Sequence, residues 1–164
     1  SDPPRARVIA LLGDTHLPRG ARRLPDDCLR LLEAADLILH TGDFTAASVL
    51  DELRDLGPVE AVHGNMDDAA LRGALPSERV VEFDGRRIGL VHDPGPRHGR
   101  HERLRAAFPG CDVVAYGHTH VPEATASGDV WIVNPGSPTE RRRAPTHTMA
   151  VVREGPPELV ELAR

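Results

Sequence analysis

The chain has 164 residues, with 20 basic against 25 acidic side chains and a formal net charge of −5. At 40% hydrophobic and 27% charged residues it reads as a soluble globular protein, and its acidity argues against broad nucleic-acid binding. No apolar run approaches the ~18 residues of a membrane span.

The length suits one well-filled core, so a single domain over 1–164 is expected. Residues 1–6 are polar and Pro-containing, with no apolar signal-peptide core, which predicts a flexible N-terminus and a cytoplasmic location. All 20 basic residues are arginine, a side chain suited to bidentate phosphate contacts. Cys28 and Cys111 lie far apart with no CxxC partner and read as buried, reduced thiols rather than as a disulfide or a nucleophile.

Val8–Leu12 is a short apolar run ending at Gly13-Asp14, the pattern of a buried strand. Pro25-Asp26-Asp27 opens a helix running to Ala35, with acid in its first turn favouring the helix dipole. Asp36–His40 is a second strand, ending at Gly42-Asp43. Thr45–Leu56 is a second helix, stopped by Gly57-Pro58. Glu60–Val62 is a third strand, ending at Gly64-Asn65, and a short helix follows around Asp68–Leu75. Arg79–Phe83 and Arg86–Val91 flank Asp84-Gly85, a hairpin signal. His101–Phe108 reads as a helix, and Val113–Tyr116 as a strand ending at Gly117-His118. Glu123–Ala126 and Val130–Val133 form a second hairpin around Ser127-Gly128-Asp129. Thr148–Arg153 and Glu158–Leu162 close the chain as antiparallel edge strands. Between them and the second hairpin, residues 134–147 have the composition of a mobile loop. An α/β layered fold with a mixed sheet or two packed sheets follows from this order.

Chemistry gathers where the strands stop. Asp14-Thr15-His16, Asp43, Asn65, His92-Asp93 and His118-Thr119-His120 each place an oxygen or imidazole donor just past a strand. In open α/β sheets, ligands bind outside the carboxyl ends of the strands, so five such ends can converge. The i, i+2 spacing puts Asp14 and His16, or His118 and His120, on one face of an extended segment. Carboxylate, amide oxygen and imidazole without thiolate suit Mn²⁺, Fe or Zn²⁺. Any one of these motifs is an ordinary turn; their conjunction is the signal.

The ordered set "GDTH", "TGD", "GNMD", "VHD" and "GHTH" resembles the calcineurin-like metallophosphoesterases, and most closely their small single-domain YfcE-type phosphodiesterase branch. "NPGS" at Asn134–Ser137 matches a segment of that branch, and the similarity spans about Val8 to Val152. The resemblance implies a four-layer αββα sandwich of two packed mixed sheets with two divalent metal ions, Mn most of all, with Fe, Zn, Ni or Mg as alternatives. Carried over by motif, one metal takes Asp14, His16 and His120, the other takes Asn65, His92 and His118, and Asp43 bridges them. Asp43, Asn65 and His92 would thus serve catalysis through the metals. Two cations ~3.5–4 Å apart lower the pKa of a bridging water, aim hydroxide at phosphorus and neutralise the developing charge.

The sequence departs from its relatives at Met66, where many carry a proton-donating His. Losing a general acid costs ~10²–10⁴-fold, least for good leaving groups. His63, Asp67 and His98 are the candidate replacements. Asp93 either orients a ligand or begins a turn, and one of Arg141, Arg142 and Arg143 is a candidate for substrate phosphate. His40 is expected beneath Asp43, His101 and His147 at the surface, and Tyr116 and Trp131 in the core. The expected activity is phosphodiesterase or phosphatase action on small phosphate esters. The alternatives are a protein-binding scaffold like the retromer subunit of this fold, or a nuclease; oligomeric state is open.

Overall fold

A computed structural model describes residues 7–17, 23–140, 142 and 144–163. The expectations for residues 1–6, Arg141 and Arg143 lie outside the described residues.

The strands β1 (Ile9–Leu12), β2 (Leu37–His40) and β3 (Val59–Ala61) run parallel, as expected of short apolar runs joined through helices α1 (Asp26–Ala34) and α2 (Ala47–Leu56). Two later strands complete this sheet: β9 (His147–Val152) pairs antiparallel with β1, and β10 (Glu158–Leu162) antiparallel with β9. The second sheet begins with the hairpin β4 (Glu78–Phe83) and β5 (Arg86–Val91). It continues through α4 (Arg100–Ala107) to the parallel strand β6 (Val113–Ala115), and ends with the hairpin β7 (Glu123–Ser127) and β8 (Val130–Asn134). The spatial orders are β10-β9-β1-β2-β3 and β4-β5-β6-β8-β7.

The two-residue period of the strands then builds the layers. Ile9, Leu11, Leu37 and Leu39 face the second sheet, where they meet Ile88, Leu90, Val113 and Val133. Ala10, Leu12 and Ile38 point the other way, onto Cys28 and Leu32 of α1, Leu50 and Leu53 of α2, and Leu71 of α3 (Ala69–Ala74). On the far side, Leu104 of α4, Phe108 and Cys111 cover Val114, Tyr116 and Ile132. The result is the expected αββα sandwich of two mixed sheets. Both cysteines are free and buried, and burial pushes the Cys28 thiol up to about 12. Among the described residues, no helix is long and apolar enough to cross a membrane.

Two expectations need correction. β9 is not an edge strand, because β10 supplies the edge and leaves β9 paired on both sides. Residues 134–140 are not a loose loop. Asn134 donates to Thr119 Oγ1, Ser137 Oγ to the carbonyl of Asp14, and Thr139 Oγ1 to that of Thr15, so the segment is pinned to the first strand end.

Asp84 and Gly85 both adopt positive φ, 51° and 78°, as a tight hairpin turn requires. Asp68 accepts from Leu71 N at 2.9 Å at the start of α3 and from Ala47 N at 3.2 Å at the start of α2, so one carboxylate caps two helices. Asp68→Ala is expected to lower stability by about 1–2 kcal/mol, read as a shift in the urea midpoint at unchanged slope.

Candidate metal centre

The sharp reversals after the strands are the first local feature of the site. Asp14, His16, Asp43, Thr45, His118 and His120 all adopt positive φ, between 48° and 86°. Left-handed backbone at a non-glycine residue costs roughly 1–3 kcal/mol, so six at three neighbouring strand ends require firm support from the surroundings. Part of that support is close packing. Gly42, at φ 102°, lies so near the third strand end that a Cβ would meet Gly64 N at 2.8 Å and His92 Nδ1 at 2.9 Å. A Cβ at Gly64 would stand 2.1 Å from Asp43 Oδ1.

The other part is Asp67. Its Oδ2 accepts from Asp43 N at 3.0 Å and Gly64 N at 2.7 Å, and its Oδ1 from Thr45 N at 2.8 Å. One buried carboxylate thereby ties the end of β2 to the end of β3. His40 lies beneath, as expected. It is fully buried, stacks on Phe44 at 3.6 Å, accepts from Gly42 N through Nδ1 and donates through Nε2 to Thr15 Oγ1. Burial, reinforced by the nearby His92, lowers its pKa to about 3, so it packs as a neutral ring.

On this floor five of the seven predicted donors meet, with Asn65 and His118 against His92. Asp14, His16 and His120 offer ligand atoms within 4.8 Å of one another, as do Asp14, Asp43 and His92. Asp43 Oδ2 lies 3.5 Å from His16 Nε2 and 3.2 Å from His92 Nε2, so one oxygen faces both halves of the cluster. His92 Nδ1–H donates to the Thr41 carbonyl at 2.9 Å, which leaves Nε2 turned toward Asp43 and, at 3.0 Å, Asn65 Oδ1. His120 is held likewise: Nδ1–H donates to the Glu140 carbonyl, while Nε2 is buried without a hydrogen-bond partner, 3.7 Å from Asp14 Oδ1. Backbone carbonyls thus fix both tautomers and leave Nε2 of each ring toward the carboxylates. His118 is half-buried, its ring edge-on to His92 at 5.4 Å, and its backbone N–H donates to Asp14.

The electrostatics are those of a crowded, dry site. Burial, aided by Asp43 and opposed by His92, raises the Asp14 pKa to about 7. Burial also works against the Asp43 carboxylate, but its bond with His92 prevails and lowers its pKa. The same bond, with the charges of Asp14 and Asp43, outweighs burial at His92 and raises its pKa. Burial lowers His120 to about 4, which keeps Nε2 unprotonated at neutral pH. An unpartnered buried imidazole nitrogen facing a desolvated carboxylate is a hole shaped for a cation.

Asn65 is both a turn residue and a site residue. It begins the turn with Met66, its carbonyl accepts from Arg72 at 2.6 Å, and its side-chain oxygen meets His92. The candidate proton donors separate. His63 lines a pocket of about 350 Å³ with Asn65, Arg72 and His92. Asp67 has its oxygens committed to backbone N–H groups, and His98 is exposed before α4 and does not line that pocket. Asp93 accepts from Gly95 N at 2.9 Å and so makes the turn at the pocket's edge. Arg142 is exposed, with Nη1 3.5 Å from the His118 carbonyl. His101 is not a free surface residue; its Nε2 lies 3.1 Å from Glu123 Oε2.

Sequence reasoning missed Glu140, whose carbonyl orients His120 and whose Oε2 lies 3.7 Å from His16 Nδ1. It missed the carbonyl of Thr41, and it named Asp67 as one of three candidate acids without foreseeing its part as a brace. No spacing or propensity marks the first two, since each acts through backbone brought close by the fold.

Fold and site together define an α/β sandwich with a cation-ready cluster at its strand ends. A family model for the calcineurin-like phosphoesterase superfamily domain matches residues 8–154, and the chain belongs to that family. It is 36% identical over 150 residues to a probable metallophosphoesterase of Methanothermobacter thermautotrophicus, covering 90% of this chain and 87% of that one. A probable metallophosphoesterase of Methanocaldococcus jannaschii is 39% identical over 138 residues, covering 82% and 70% respectively. In structure the chain resembles Vps29 of Entamoeba histolytica complexed with zinc, with a TM-score of 0.73 at 23% identity, covering 94% of this chain and 98% of that one. That last likeness shows the fold.

Two measurements test the site. The unfolded chain releases the Asp14 proton near 3.8 and the native protein near 7, so in chelator this group's contribution to stability falls as pH rises between those values. Asp14→Asn in chelator is therefore expected to melt above the parent at pH 8, by up to ~4 kcal/mol, with the gap closing below pH 4 and reversing when metal is added. Asp67→Asn leaves one acceptor oxygen for three donors and is expected to cost about 2–3 kcal/mol and to weaken metal binding roughly tenfold, read by calorimetric titration.

Proposed function

We propose that the chain is a dinuclear metal-dependent phosphoesterase acting on small phosphate esters, diesters foremost. The observation that carries this reading is the buried, unpartnered Nε2 of His120 facing Asp14, across from Asp43 Oδ2 between His16 and His92. Asp14, His16 and His120 would hold one cation, and Asn65, His92 and His118 the other, with Asp43 shared. The donor set is nitrogen and oxygen without thiolate, which favours Mn²⁺ and leaves Fe, Zn²⁺, Ni²⁺ or Mg²⁺ as substitutes. When bound, two such cations supply Lewis acidity, an activated water and neutralisation of charge on the phosphoryl oxygens.

The chain's own residues do the positioning. The Thr41 and Glu140 carbonyls hold His92 and His120 in the tautomers that present Nε2. The bond with Asp43 raises the His92 pKa, and protonation of Nε2 would compete with a bound cation, so loading is expected to weaken as pH falls. Met66, 47% exposed at the rim, brings no proton to the leaving group. His63, in the pocket beside Asn65 and His92, is the best placed of the three candidates to do so. Esters with good leaving groups are accordingly the preferred substrates. A scaffold without turnover is the weaker reading, since all seven predicted donors are intact.

Protein loaded with Mn²⁺ is expected to hydrolyse bis-p-nitrophenyl phosphate, and Asp43→Asn to lower kcat/KM at least ~10²-fold with unchanged circular dichroism. Absence of turnover in the parent with every metal named would overturn the reading.

A further inference from the structure

A second cavity, of about 690 Å³, opens between α4 and the connection from β6 to β7 that carries His118 and His120. Its lining includes Thr119, which stands between His118 and His120, and runs outward through Tyr116, Glu123, His101, Arg100 and Arg97. The volume is that of a small-molecule site rather than of a polymer groove.

The charge around it is unlike that of the rest of the protein. In a chain of net charge −5, residues 97–105 contain four arginines and two histidines against one glutamate. Packing explains some of these. Arg103 donates to the carbonyls of Pro94 and Pro96 and so braces the preceding loop. Two acids line the cavity: Glu102 is exposed at its mouth, and Glu123 is occupied, accepting from Tyr116 OH and Thr125 Oγ1 and pairing with His101. Of the two arginines on the cavity wall, Arg100 is partly spent and Arg97 is open. Arg100 lies over the Tyr116 ring at 5.4 Å, donates to the Tyr116 hydroxyl and to the Gly95 carbonyl, and keeps its Nε buried without a partner. Arg97 is exposed on the cavity wall, and its guanidinium has no hydrogen-bond or ion-pair partner among the described residues. An arginine left open on a cavity wall, beside a second with an orphaned N–H, offers donors to an anion.

Resting on the phosphoesterase reading, we propose that this cavity receives the part of the substrate that does not react, and that this part carries a second anionic group, a phosphate or a carboxylate, held by Arg97 and Arg100. Glu123 orients His101 and the Tyr116 hydroxyl along the wall between that anion and the centre. The natural substrate is thus a doubly anionic small ester, and a singly charged diester uses only half of the site.

The test compares kcat/KM, with Mn²⁺ bound, for thymidine 5′-(p-nitrophenyl phosphate) bearing a 3′-hydroxyl, a 3′-phosphate or a 3′-succinate. The 3′-phosphate, the 3′-succinate or both are expected to be preferred about tenfold over the hydroxyl, and which of them is preferred identifies the anion. In Arg97→Glu the preference should collapse to about one or invert, whereas Arg54→Ala, an exposed arginine on α2, should keep it. Arg97 is exposed, so a folding defect is not expected; a thermal melt checks this. Equal rates for all three substrates in the parent, or a preference untouched by Arg97→Glu, would overturn the proposal. If no substrate turns over, the phosphoesterase reading fails by itself, and calorimetry with thymidine 3′,5′-bisphosphate against thymidine 5′-phosphate decides the cavity. Tighter binding of the bisphosphate, lost in Arg97→Glu, sustains the anion site, and equal binding removes it.

Discussion

The geometry of the centre depends on one buried carboxylate that never faces it. Asp67 accepts from the backbone of Asp43, Thr45 and Gly64, and these three bonds hold two adjacent strand ends in register. Asp43 and Thr45 both sit at positive φ, a conformation that relaxes unless something outbids it. Backbone N–H groups pointing inward with no strand to pair with must find acceptors, and a carboxylate offers the strongest available. Without Asp67, the Asp43 side chain would have no fixed origin.

The same economy recurs one layer out. His92 and His120 each give one nitrogen to a backbone carbonyl, Thr41 and Glu140, and so have no freedom in how they present the other. His40 is neutral beneath them because burial forbids its charge, and it spends one nitrogen on the turn that carries Asp43 and the other on Thr15. Three imidazoles therefore have three fixed protonation patterns, set by partners that differ in each case. The cost is concentrated in Asp14, a fully buried carboxylate whose ionised form is penalised until a cation arrives. Part of the free energy of metal binding is thus the relief of a strain that folding built in.

Asp67 also illustrates how a residue type misleads when read in isolation. An aspartate two positions past Asn65 is a candidate proton donor, and the sequence contains nothing to distinguish a donor from a brace. The distinction lies in which backbone N–H groups surround it, and these come from segments 22 and 24 residues away. Residues 134–140 mislead in the opposite direction. Proline, glycine and serine suggest a mobile loop, yet this segment is bonded to Asp14, Thr15 and Thr119 and supplies the carbonyl that orients His120.

What the sequence determined by itself was everything that is local and periodic. The alternation of apolar residues set the strands and their two buried faces, the Asp-Gly and Gly-Asp pairs set the hairpins, and the recurrence of donors after strands marked the centre. These signals survive in one dimension because a pleat has period two and a turn spans four residues. Only the tertiary structure decided that β9 is an interior strand, that Asp67 braces and Glu140 orients, that Asn65 serves both turn and site, and that Arg97 is left open on a cavity wall while Arg103 is not. Each of these depends on pairings between residues far apart in the chain, and sequence spacing carries no record of which distant carbonyl or N–H will arrive within 3 Å.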